Sequence, residues 1–144
     1  MIPQAATALK LLSQRIMTRL VPDARTPYAM ADGAMVGLLL GGLSAELEEG
    51  IERRLQDIEA MRVVFRLALV QLPAGALKEH INGLLAKKIR PLTLTAVNAV
   101  HDNCTRVLIS LHELAETEVE SYPGLAPVIW RYLEEQAQRH RLNI

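Results

Sequence analysis

YAMADGAMVGLLLGGLSAELEEGIERRLQDIEAMRVVFRLALVQL, residues 28–72, is apolar and glycine-dotted at its start, charged in its middle and apolar again at its end. At helical spacing it carries one nearly unbroken line: Met35, Leu39, Leu43, Leu47, Ile51, Leu55, Ile58, Phe65, Leu69 and Leu72. Steps of three and four held that long predict an amphipathic helix, not a strand. A single helix of that length runs about 65 Å. The stretch is therefore expected to be one long spine of a bundle, or two helices broken near a glycine.

Within it, Gly33, Gly37 and Gly41 recur every fourth residue and line one face. A glycine in a helix interior costs about 1 kcal/mol against alanine. The preferred reading is a packing or interface face, where a neighbouring helix approaches the backbone closely. A bend at Gly41-Gly42 is the other reading. The Glu48/Glu52 and Glu49/Arg53 spacings suit a solvated face in the charged middle.

Outward from this spine the chain reads as further helices. Pro3 and the stripe Ala5, Leu9, Leu12, Ile16, Leu20 predict a first helix. Thr26 before Pro27 is a candidate N-cap for the long one. Leu77, Ile81, Leu84, Leu85 and Ile89 predict a short helix whose end is complemented by Lys87, Lys88 and Arg90. Leu94, Val97, Val100, Cys104, Val107, Leu108, Leu111 and Leu114 predict a second long helix over 92–121. Pro127 sits near the start of a last helix, and Arg139 to Arg141 is expected to fray. The expected fold is an all-α bundle of about five helices in a single domain, 1–144, around antiparallel helices 28–72 and 92–121.

Composition points the same way. The chain has 144 residues, 50% of them hydrophobic, with Leu and Ala prominent and only Trp 1, Tyr 3 and Phe 1 as aromatics. Lys+Arg 16 against Asp+Glu 16 leaves no basic bias of the kind a nucleic-acid binder shows, so none is expected as a partner. One cysteine excludes an intramolecular disulfide and fits a reducing, cytoplasmic setting. Residues 29–45 fall short of the ~20 apolar residues of a membrane span and include Asp32, so a span is not expected.

The densest polar set lies on the 92–121 helix. His101, Asp102, Arg106, His112 and Glu116 are the candidate ligand-binding residues, beside Asn98, Asn103 and Glu113. His101 and His112 share a face within about 20° but stand roughly 16 Å apart, too far for one metal. His112 and Glu116, one turn apart, could offer two ligands. No Glu-x-x-His, His-x-x-x-His, P-loop, G-x-G-x-x-G or G-x-S-x-G occurs. Asp102/Arg106 reads as a surface pair, Asp32 as a first-turn carboxylate favoured by the helix dipole, and Cys104 as a buried small hydrophobe. No catalytic residue, metal or cofactor is assigned. The function expected is a non-catalytic interaction or scaffold module that forms a homodimer through the long helix. A metal- or small-ligand-binding bundle and a membrane-surface protein are the alternatives.

Overall fold

The computed structural model describes residues 4–140. The protein is an all-α helical bundle, and no strand occurs among the described residues. Its helices are α1 (Ala5–Arg15), α2 (Pro27–Gln71), α3 (Ala76–Ala86), α4 (Leu94–Thr117) and α5 (Leu125–Arg139), with a π-helical stretch, Ile16–Leu20, continuing α1. Pro3 and Arg141, both read in the sequence, lie outside the described residues.

The break entertained for residues 28–72 is absent: α2 is one 45-residue helix. The 92–121 helix is shorter than expected, because Thr93 caps it at one end and the chain turns after Thr117. Thr26 Oγ1 accepts from Ala29 N–H at 3.1 Å, so the cap-then-proline order does start α2. Asp32 belongs to the second turn, not the first, and is exposed to water, which solvates its carboxylate.

Two compact units divide the chain, Met1–Ile51 and Glu52–Ile144. The first is a helical hairpin. A Cβ on Gly33 would lie 3.0 Å from Val21 Cγ2, one on Gly37 2.7 Å from Met17 Sδ, and one on Gly41 3.2 Å from Ser13 Oγ. Absent those carbons, the two backbones come close enough for hydroxyls to bridge them. Ser13 Oγ donates to the Gly37 carbonyl at 2.7 Å, and Ser44 Oγ to the Ala6 carbonyl at 2.8 Å. Each bridge gives a hydroxyl its partner, half-buried at Ser13 and buried at Ser44.

The second unit holds the large core. Ile58, Met61, Phe65 and Ala68 of α2 are wholly buried, as are Ile81 of α3, Val97, Cys104 and Leu111 of α4, and Leu125 and Ile129 of α5. The α4 line read in the sequence is thus a core face. Lys87, Lys88 and Arg90 do not close α3, because the helix stops at Ala86 and they occupy the segment beyond it. The cation at that end is Arg62 of α2. Its Nη2 donates to the Leu84 and Lys87 carbonyls at 3.2 and 2.6 Å, while Nη1 pairs with Glu59 at 2.6 Å. A guanidinium on the last carbonyls of a helix supplies charge-assisted bonds and complements the dipole. Arg62→Ala is expected to cost about 2 kcal/mol and to speed amide exchange at the α3 end. Urea unfolding with hydrogen exchange checks it, and an unchanged midpoint would contradict the clamp.

Candidate functional site

Two features of the folded chain are candidates for function. The first is a polar concavity of about 490 Å³ in the Glu52–Ile144 unit, lined by residues of α2, α4 and α5. At its base is Asp57, whose side chain lies among core residues and is 0% exposed. Asp57 sits one turn before Met61 on the stripe α2 turns inward, so the helix itself delivers the carboxylate to the interior. A buried charge needs partners. Arg139 Nε donates to Asp57 Oδ1 at 2.9 Å, and His140 Nε2 lies 2.5 Å from Oδ2. Burial alone would push the Asp57 carboxyl up. The hydrogen bonds from His140 and Arg139 and the charges of both outweigh it and hold the group below its ordinary value.

His101 approaches the same oxygen from α4, with Nε2 3.7 Å from Asp57 Oδ2 and Nδ1 3.8 Å from Asp102 Oδ1. Both gaps exceed hydrogen-bond length. The imidazole therefore stands between two carboxylates without being bonded to either. Asn98 Oδ1, also on the wall, is buried and has no hydrogen-bond partner. Arg54, Leu133, Gln136 and Ala137 complete the lining.

Of the five residues singled out on α4, the structure brings His101 and Asp102 to this concavity and leaves three elsewhere. Arg106 bonds Asn103 Oδ1 at 3.1 Å on an exposed surface. His112 meets the Trp130 ring edge-on, with centroids 5.3 Å apart, and its Nε2 is 3.3 Å from Glu116 Oε1. That nitrogen is buried and its approach to Glu116 lacks hydrogen-bond geometry. Asp57, Arg139 and His140 were not anticipated as site residues. Cys104 is buried, and burial pushes its thiol up, away from the thiolate a nucleophile needs. Burial first, and the Asp57 charge second, likewise raise the Tyr132 phenol. Among the described residues no three His, Cys, Asp or Glu side chains are grouped to hold a metal ion.

The second feature is apolar. Met35, Leu39, Leu43 and Leu47, the first part of the line read in the sequence, are 62%, 61%, 54% and 56% exposed. The small-residue face of α2 takes α1, and the leucine face is left uncovered. α2 is long and apolar enough to cross a membrane by length and composition, with a window of mean hydropathy 1.3, of which 11% is buried. Comparison with protein-family models, with curated proteins and with solved structures finds no match to this chain.

Proposed function

We propose that this chain is a non-catalytic helical interaction module that self-associates as a homodimer through the uncovered leucine band of α2. The observation that carries this is the exposure of Met35, Leu39, Leu43 and Leu47 beside a glycine face already occupied by α1. An apolar area of that extent is costly in water and marks a surface meant for contact. Formal net charge is zero, so copies do not repel one another. The lone cysteine suits work in the cytoplasm. Sedimentation equilibrium from 1 to 100 μM, as roughly chosen concentrations around ordinary dimer affinities, tests it. The expected mass is twice the 16.0 kDa of one chain. A monomer throughout would contradict it, and a monomer that co-floats with phosphatidylcholine vesicles would identify lipid as what covers the band.

The Asp57 concavity supports a second reading, binding of a small polar molecule. The specific observation is the buried, unpartnered Asn98 Oδ1 beside the unbonded His101 ring. A ligand offering a donor to the one and filling the gap around the other would satisfy both. Native mass spectrometry of freshly isolated protein is expected to show a bound species that is lost in His101→Ala. A bare chain mass contradicts this reading.

A further inference from the structure

The side chains around the Asp57 concavity also select the chemistry it takes, an inference that rests on the second reading above, a small-molecule site. At about 100° per residue, Asn98, His101 and Asp102 fall within about 100° of one another on α4, and Leu133, Gln136 and Ala137 do the same on α5. The α4 side of the hollow is therefore polar and the α5 side partly apolar. Its volume, about 490 Å³, is that of a pocket for an organic molecule and far more than a bare ion needs.

Most charges at the concavity are answered within the chain. Asp57 has Arg139 and His140, and Arg54 has an interaction of its own. Asp102 differs. Arg106, the cation one turn on along α4, turns instead to Asn103 Oδ1 at 3.1 Å. His101 Nδ1 stops 3.8 Å from Asp102 Oδ1, outside hydrogen-bond length. The Asp102 side chain lines the hollow and is 64% exposed. One turn earlier stands Asn98, whose buried Oδ1 also lacks a donor. Residues four apart on a helix have Cβ atoms about 5–6 Å apart. One group carrying several donors can therefore serve both.

Both of these oxygens accept hydrogen bonds. An anion would meet a carboxylate and a carbonyl oxygen, while the Arg139 cation is already spent on Asp57. A neutral molecule would satisfy Asn98 and leave the Asp102 charge unanswered. A cation with several N–H groups answers both, with charge-assisted bonds to Asp102. Its hydrocarbon part gains by lying on Leu133 and Ala137 of α5. We propose that the concavity takes a small organic cation, a protonated amine or guanidinium on a short alkyl chain, whose N–H groups bridge Asp102 and Asn98 Oδ1.

Three probes of one size and different charge test this: butylammonium, 1-butanol and butyrate. Each is titrated into the 15N-labelled full chain at about pH 8, where an imidazole ordinarily carries no charge. Butylammonium is expected to give saturable shifts at the Asn98 side-chain amide and at the Asp102 and Ala137 backbone amides. Its Kd should be several-fold below those of the other two. Asp102→Asn, a same-shaped change at an exposed position, should keep the fold and raise that Kd about threefold or more, the worth of a part-exposed ion pair. Tighter saturation of the same amides by 1-butanol or butyrate overturns the cation and leaves a small-molecule site standing. An unchanged Kd in Asp102→Asn overturns the proposal as well. So does saturation by none of the three, and the native mass of the isolated protein then shows whether another kind of molecule occupies the site or the small-molecule reading falls too.

Discussion

Asp57→Ala is expected to destabilise the Glu52–Ile144 unit by about 3 kcal/mol, the lower end for removing one member of a buried charged cluster. That corresponds to a fall in Tm of on the order of 10 °C. Three changes add up. Arg139 and His140 lose the carboxylate they converge on, the end of α5 loses its tie to α2, and a cavity opens where the carboxyl was. The cost stays near the lower end because Arg139 and His140 keep part of their side chains in water. Asp57→Asn keeps an acceptor for Arg139 but not the charge, and should cost about half as much.

The pH dependence separates the two variants. Asp57 has a folded pKa depressed below 3.8. Its contribution is therefore full above the unfolded value and is lost as pH falls through the folded one. The Tm gap between wild type and Asp57→Asn is expected to narrow as pH falls below about 4, where the carboxylate begins to take up its proton. Thermal melts across that range check it. A gap that stays constant to pH 2 would mean that the carboxylate charge is not what holds the α5 end.

The second large effect concerns association. Leu39→Glu together with Leu43→Glu is expected to weaken the dimer at least about 1,000-fold, since two carboxylates per chain would have to enter an apolar contact unpaired. Both positions are exposed in the single chain, so folding should change by no more than about 0.5 kcal/mol. Circular dichroism and urea unfolding at low concentration verify the second half, and sedimentation the first. A double variant that still dimerises with wild-type affinity would place the interface elsewhere. Loss of helicity would show instead that the band supports the fold.

Much of the architecture was legible because it is local. The three-and-four spacing of α2 and α4, the Thr26-Pro27 start and the prolines between helices are read within a few turns of chain. The site was not. Asp57 sits among Glu52, Arg53, Arg54 and Glu59, a run that reads as a solvated face. The clue was its register: it lies four, seven and eleven residues before Met61, Val64 and Ala68, all buried. Its partners are 82 and 83 residues away in sequence, at a helix end whose composition suggests fraying. Only tertiary contact joins them. The leucine line was visible in full, yet periodicity marks which residues need cover and not what supplies it. From Ile58 onward the chain covers its own line, while from Met35 to Leu47 it does not.

A second copy hiding these uncovered side chains is a contact that an isotope-filtered NOE experiment measures directly, on a mixture of 13C-labelled and unlabelled protein. Intermolecular cross-peaks from the Met35, Leu39 and Leu43 methyls to protons of the unlabelled chain are predicted. Their absence, with those methyls instead relaxing and shifting as water-exposed groups at millimolar protein, would contradict it.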